Sequence, residues 1–147
     1  MKRFQFTLDK LLGFKQQVLD REKNDLAHLR RQQQEIADKK YELEMKLRRS
    51  SDDFAIKSSR GMTIVQLTVF KDYHKSLSEQ IRELELAISV FEEKIQKQMG
   101  VVVEATKEVS SLEKLEDKQL EDYKFSSQKA EEKFIEEYVT NSTYQRA

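Results

Sequence analysis

The sequence predicts an all-α fold: a long antiparallel two-helix coiled-coil hairpin with a C-terminal helical overhang. The first observation is composition, because the 147 residues include no Pro and only three Gly, and 37% of them are charged. Such a chain is typical of long helices rather than of a compact layered fold. The second observation is a spacing of alternating four and three residues, which keeps one stripe of side chains facing a partner helix.

This spacing occurs in two separate stretches, which we call seam one and seam two. Nine of the fourteen positions of seam one are apolar, and twelve of the fourteen of seam two. Seam one comprises Leu8, Leu12, Lys15, Leu19, Glu22, Leu26, Leu29, Gln33, Ile36, Lys40, Leu43, Leu47, Ser50 and Phe54. Seam two comprises Leu67, Phe70, His74, Leu77, Ile81, Leu84, Ile88, Phe91, Ile95, Gln98, Val102, Ala105, Val109 and Leu112.

The two seams match when they are read antiparallel within one chain. Leu8 then faces Leu112, Leu43 faces Leu77, and Phe54 faces Leu67. The residue numbers of every facing pair add to 120 or 121, so that the symmetry centres on residues 58–61. The sequence therefore predicts a monomeric hairpin whose turn lies at that point.

The start and stop signals give the expected bounds of a single domain over residues 1–147. Helix one is expected over about residues 7–57, with Thr7 as its N-cap, followed by a turn at about residues 58–62. Thr63 and Gln66 form a T-x-x-Q capping box, which predicts that helix two begins at about residue 63 and continues to about residue 139. Residues 140–147 are expected to be a frayed tail.

Several polar residues interrupt the seams. Glu22 falls opposite Gln98 and can share a hydrogen bond with it, which is the one polar pair in the register. Lone polar residues at a seam commonly select one register at a cost in stability. The residues that each face an apolar partner in this way are Lys15, Gln33, Lys40, Ser50 and His74.

Charge is balanced over the whole chain but not along it. Residues 1–60 carry 15 Lys and Arg against 10 Asp and Glu, whereas residues 61–147 carry 12 against 17. A basic arm beside an acidic arm favours intramolecular pairing. Nucleic-acid binding is not expected, because acidic residues follow the basic pairs Arg30-Arg31 and Arg48-Arg49.

Catalysis and cofactor binding are not expected either. The sequence has no Gly-rich phosphate loop and no paired catalytic motif, and a two-helix hairpin has no deep interior for a pocket. The absence of Cys excludes thiolate metal sites, and His28 and His74 lie far apart in the register. No segment approaches the roughly 18 uninterrupted apolar residues of a membrane span, so direct membrane insertion is not expected.

Beyond Leu112 the apolar pattern continues although the first helix has no more residues to pair with it. Such residues predict a docking surface for another protein, and a self-dimer seam is the alternative. The apolar residues of this expected overhang are Leu115, Leu120, Tyr123, Phe125, Phe134, Ile135, Tyr138 and Val139.

The opening Phe4-x-Phe6-x-Leu8-x-x-Leu11-Leu12, the unequal helices, the short polar turn and the total length resemble the FliJ family of flagellar export proteins. The resemblance covers essentially the whole chain, which differs from some members in having no Trp and no basic C-terminal tail. It implies a non-enzymatic component of the flagellar type III export apparatus that is similar to the central stalk of rotary ATPases. Virulence-type export systems contain analogous stalks.

The resemblance also implies partners and sites. The terminal end is expected in the pore of the export ATPase hexamer, and the hairpin end at the export gate, the membrane protein FlhA. Export chaperones are further implied partners, and the implied location is the cytoplasmic side of the membrane at the flagellar base. The ring-contact residues would be Phe4, Phe6, Leu8, Leu11, Leu12, Leu120, Tyr123, Phe134 and Tyr138. The gate-contact residues would be Tyr73, Leu77 and Leu84, of which Tyr73 is the strongest candidate because the other two also fit the seam.

Two other classes of function stay open at this point. One is a coiled-coil holdase chaperone that binds export clients between its arms. The other is a structural coiled-coil spacer or homodimer.

Overall fold

A computed structural model describes residues 2–146 and confirms the all-α hairpin. It is 93% helical, and its two long helices pack against each other with no strand in the described part of the chain. Helix α1 spans Asp9–Arg60 and helix α2 spans Ile64–Arg146. The chain divides into two compact units, which we call the hairpin unit (Glu22–Val101) and the terminal unit (Met1–Arg21 with Val102–Ala147).

In the hairpin unit, α1 ends three residues later than the sequence suggested. Ser58 and Ser59 are helical, and their hydroxyl groups donate to the carbonyl oxygens of Ala55 and Ile56 at 3.2 and 2.6 Å. The break comes at Gly61, whose φ of 94° is costly for a residue with a Cβ. Its N–H donates to the Ser58 carbonyl at 3.3 Å, which satisfies one of the last carbonyl groups of the helix.

Helix α2 begins with the capping box that the sequence predicted. The Thr63 hydroxyl oxygen accepts from the Gln66 N–H at 3.2 Å, and the Gln66 side-chain oxygen accepts from the Thr63 N–H at 3.1 Å. Two backbone donors that the helix itself leaves unpaired are thereby satisfied. The first helical residue is Ile64, immediately after the cap.

We expect Thr63→Ala to destabilise the hairpin unit by about 1 kcal/mol, because it removes the cap oxygen. The matched control is Thr68→Ala, one turn further along the same helix, where the hydroxyl only donates to the Ile64 carbonyl. That change is expected to be neutral or slightly stabilising, since Ala is the better helix former. Urea denaturation followed by circular dichroism measures both, and equal midpoints for the two variants would contradict the capping role.

The seam positions of the hairpin unit are the residues that lose exposure. Every seam-one position from Glu22 to Phe54 is buried or half-buried, and so is every seam-two position from Leu67 to Gln98 except His74. The sequence placed His74 in the seam, but its side chain is exposed. Its ring instead lies 5.9 Å from that of Phe70, one turn earlier on the same helix.

The polar seam pair is confirmed. Gln98 Nε2 donates to Glu22 Oε2 at 2.6 Å and to the Glu22 carbonyl at 3.0 Å. The contact joins α1 to α2 in the antiparallel register that the two seams predicted. Sliding either helix would break this bond, which is the way in which a polar seam residue selects one register.

Other polar residues of seam one reach past the residue directly opposite them. Gln33 faces Ile88 and donates to its carbonyl at 3.3 Å, and it also donates to Glu92 Oε2 at 3.1 Å. Lys40 likewise reaches Glu85, with Nζ 3.5 Å from a carboxylate oxygen.

Apolar residues show the same displacement. Phe54 stacks on Phe70, with ring centroids 4.0 Å apart, although the register places Leu67 opposite it. The cause is side-chain direction, because helical side chains lean toward the N-terminus of their own helix. In an antiparallel pair that lean carries an α1 side chain toward higher residue numbers on α2.

The pKa of the Glu92 carboxyl group lies below its ordinary value. Hydrogen bonds from Gln33 and Gln96, together with the charge of Arg30, hold the pKa of Glu92 below its ordinary value against a smaller opposing effect of burial. A carboxyl group whose pKa is lower in the folded state than in the unfolded state stabilises the folded state at pH values above the unfolded-state pKa. The contribution is lost as the pH falls through the folded-state pKa.

The terminal unit begins with a non-helical stretch, residues 2–8, which we call the N-terminal segment. The sequence predicted a helix from Thr7, but α1 begins at Asp9, and the Leu8 carbonyl accepts the first helical bond from the Leu12 N–H at 2.9 Å. The Asp9 N–H closes a turn on the Phe6 carbonyl at 3.2 Å. This turn lets the N-terminal segment leave the helix and pack against α2.

The N-terminal segment contributes to the core of this unit. Phe6, Leu12 and Val109 are buried together, and Leu8, Leu112 and Leu115 are among the residues that pack around them. Lys15 also crosses to α2, where its Nζ lies 2.8 Å from Glu108 Oε2. The contacts of Lys15 and Phe6 show that α1 and the N-terminal segment cover α2 as one continuous partner.

Helix α2 continues through Arg146, which is later than the end near residue 139 that the sequence predicted. No Pro or Gly interrupts residues 140–146, and the Thr143 hydroxyl donates to the Val139 carbonyl at 2.9 Å. Ala147 lies outside the described residues. Side chains 128–145 are exposed apart from Ser142, so the C-terminal overhang begins near residue 128.

Candidate functional site

The structure divides the nine predicted ring-contact residues into two groups. Phe6 and Leu12 are buried, and Phe4, Leu8, Leu120 and Tyr123 are half-buried, all within the terminal unit. Leu11, Phe134 and Tyr138 are exposed. The exposed group is the most accessible to another protein.

Tyr123 shows why the overhang is shorter than the sequence predicted. Its ring lies 5.5 Å from that of Phe4, and its hydroxyl donates to the Lys2 carbonyl. Leu115 is covered by the core around Phe6. Both residues were expected to lie on an unpartnered helix, but the N-terminal segment extends the paired region past the start of α1.

Four exposed apolar residues of the overhang lie close together on α2. Phe134 and Tyr138 are one helical turn apart, as are Ile135 and Val139, and the two rows are adjacent. Phe134 is 70% exposed and Tyr138 67%. We call these four residues the C-terminal patch.

The other face of the same turns carries Glu132, Lys133, Glu136 and Glu137. The end of α2 is therefore amphipathic, with no packing partner for its apolar face among residues 2–146. A monomeric protein rarely exposes neighbouring large apolar side chains unless they bind something. An amphipathic helix end of this kind suits insertion into an apolar groove or pore.

The three predicted gate-contact residues lie in the hairpin unit and differ in exposure. Leu77 is buried and Leu84 is half-buried, because both belong to the seam. Tyr73 is exposed. Tyr73 is therefore the most accessible of the three to a partner, whereas Leu77 and Leu84 lie in the seam.

The structure also contains a groove beside Tyr73, which the sequence did not predict. It has a volume of about 490 Å³ and lies between α1 and α2 next to the turn. Met62, Val65, Val69 and Tyr73 form one of its walls. These residues are spaced three and four apart in the sequence. The row was not recognised because it runs beside seam two, whose apolar repeat is longer and more regular. We call this feature the hairpin groove.

Chemically, these surfaces offer apolar contact and charge. In the part of the chain that the structure describes, no group of three or more His, Asp or Glu side chains is placed to hold a metal ion. The same residues form no helix that is long and apolar enough to cross a membrane.

Comparison with known protein families assigns the chain to one family. The model of the family described as "Flagellar FliJ protein" matches residues 4–147. No curated protein matches the chain, and no solved structure matches it either. The family is a non-catalytic component of the flagellar export apparatus. Because the match covers nearly the whole chain, including both candidate surfaces, this protein belongs to the FliJ family.

Proposed function

We propose that this component of the flagellar export apparatus acts as a central-stalk-like coiled coil, which docks in the export ATPase hexamer and promotes its activity. The observation that carries the proposal is the C-terminal patch. Its four apolar side chains lie on a helix end that nothing in the described chain covers. A narrow amphipathic helix end of this kind fits a ring pore better than a flat surface.

The hairpin unit supplies the second part of the proposal, contact with the export gate FlhA. Tyr73 and its neighbours Val65 and Val69 are exposed there. Export chaperones are further proposed partners of the same protein. The protein would act as a monomer in the cytoplasm at the flagellar base, peripherally associated with the membrane through the gate.

The register contacts support a coupling role. The Glu22–Gln98 and Lys40–Glu85 contacts hold the two helices in one register. A hairpin that resists sliding can transmit force between partners, whereas loosely paired helices would absorb it.

The test of this proposal combines the chain with its cognate export ATPase ring and with the soluble part of the gate protein. We expect ATPase stimulation at fewer than one chain per ATPase subunit, because one stalk serves a whole ring. We also expect direct binding to the gate fragment. A chain that leaves ATPase activity unchanged over a full titration would overturn the stalk proposal.

The exposed apolar groove favours one second candidate, a holdase chaperone. Such a protein would suppress aggregation of export clients in the absence of the ATPase. If neither stimulation nor suppression is seen and sedimentation shows a dimer, the chain is a structural spacer.

A further inference from the structure

We propose that the hairpin groove binds an amphipathic helix that carries acidic residues along one edge. The inference rests on the proposed function only for the identity of the natural partner. The chemistry of the bound segment follows from the groove itself.

The α2 wall of the groove is apolar and open to solvent. Val65 is 72% exposed and Val69 64%, and Tyr73 continues the row one turn further along. Between the helices, the stacked rings of Phe54 and Phe70 form the base. Apolar side chains in a concave, exposed row gain free energy when another apolar surface covers them.

The α1 wall of the same groove is basic. It is lined by Lys46, Arg49 and Lys57, against which the one acidic lining residue is Asp53. None of these four residues forms an ion pair within 4.0 Å among residues 2–146. The basic wall therefore retains an excess of positive charge that an acidic partner can neutralise.

The dimensions fit a helix. From Lys46 to Lys57 the α1 wall extends over about 16 Å at the helical rise of about 1.5 Å per residue. A partner helix of about three turns would cover this length, with apolar residues at i, i+4 and i+7 against Val65 and Val69. Acidic residues on one edge of that helix would then lie beside Arg49 and Lys57.

Two other occupants fit less well. A second copy that pairs groove to groove would contribute Asp53 as its one acidic lining residue, which is too little to neutralise three basic residues. A membrane surface is broad, whereas the apolar residues here lie within a groove between two helices. The observations thus favour a narrow acidic helix.

The probes for the test are two synthetic helical peptides of about 16 residues with the same Leu positions. One carries Glu along the edge beside the Leu stripe, and the other carries Lys at the same positions. The full-length protein is labelled on its Val methyl groups, and each peptide is titrated to about 1 mM while methyl NMR shifts are recorded. We expect the Glu peptide to shift the Val65 and Val69 signals and to bind at least about tenfold tighter than the Lys peptide.

A charge reversal in the basic wall provides the decisive variant. Arg49→Glu with Lys57→Glu should reverse the preference, so that the Lys peptide binds tighter than the Glu peptide. The matched control is Arg31→Glu with Lys39→Glu, which makes the same charge change at exposed α1 positions outside the groove. The control should keep the preference for the Glu peptide, and circular dichroism should show that both variants remain helical.

Several results would overturn the inference. These are the absence of shifts with the Glu peptide at about 1 mM, equal binding of the two peptides, and equal effects of the two charge-reversed variants. Shifts that depend on protein concentration alone would assign the groove to a second copy, and shifts with anionic vesicles but not with peptide would assign it to a membrane.

The result of the peptide test can be distinguished from the result of the gate-binding test of the proposed function. If the Glu peptide binds and the gate fragment does not, the gate contact fails and the groove chemistry stands. If the gate fragment binds equally well to the wild type and to the variant with Arg49→Glu and Lys57→Glu, the gate contact stands and lies outside the groove.

Discussion

Phe6→Ala is expected to destabilise the terminal unit by about 3 kcal/mol, since loss of a buried Phe ring costs both its burial and the cavity left behind. Phe6 is 8% exposed and packs with Leu12 and Val109 in the core of that unit. It belongs to the N-terminal segment and not to α1. Its loss should therefore release the segment while the seam pairs of the hairpin unit stay formed.

Hydrogen–deuterium exchange measures this effect region by region. Faster exchange is expected over residues 9–15 and 105–123, with unchanged protection over residues 30–50. The matched control is Phe14→Ala, which removes an exposed Phe from α1 in the same unit and should change stability by less than about 0.5 kcal/mol. Indistinguishable exchange in the two variants would mean that the N-terminal segment does not stabilise the unit.

The second large effect concerns binding. Phe134→Ala combined with Tyr138→Ala should weaken docking to the export ATPase ring by at least about 30-fold, since truncating an aromatic anchor commonly costs more than about 1 kcal/mol each. Both side chains are exposed in the isolated chain, so the thermal unfolding transition should be unchanged. The measurement is the concentration of chain that gives half-maximal ATPase stimulation.

Tyr73→Ala provides the reciprocal variant for the same experiment. Tyr73 lies in the hairpin unit, and its removal should weaken binding of the gate fragment while ATPase stimulation is retained. If both variants lose both activities equally, general destabilisation is the explanation and separate docking surfaces are ruled out.

Local features of the fold could be predicted from the sequence because their causes lie within one or two helical turns. The capping box of Thr63 and Gln66 needs residues three positions apart, and both of its hydrogen bonds form. The seams rest on a repeat that residues such as Leu26 and Ile95 maintain over many turns, which also specified the Glu22–Gln98 contact. The resemblance to the FliJ family has a different basis, namely the opening Phe4-x-Phe6-x-Leu8-x-x-Leu11-Leu12, the unequal helices, the short polar turn and the total length. The family is confirmed across residues 4–147.

The helix ends and the candidate surfaces were predicted less completely. Ser58 and Ser59 read as turn residues in the sequence, but serine hydroxyls can bond to the preceding helical carbonyls as well as to a turn. Phe134 and Tyr138 are exposed at the end of α2, and the docking surface there stays a prediction. Leu77 was assigned from the sequence both to seam two and to the gate-contact residues, and the structure buries it in the seam. The sequence left both assignments open because Leu serves packing and binding alike.

The sequence by itself determined that this protein is a paired helical hairpin, since helical periodicity and capping are local properties of the chain. Only the tertiary structure decided that Phe4 and Phe6 cover α2 as far as Tyr123, because a non-helical segment carries no periodicity that reveals its partner. The tertiary structure likewise placed Arg49 and Lys57 across from Val69 in one groove. That placement depends on the antiparallel register and on the direction in which side chains leave each helix, and neither is encoded in the spacing of one helix alone.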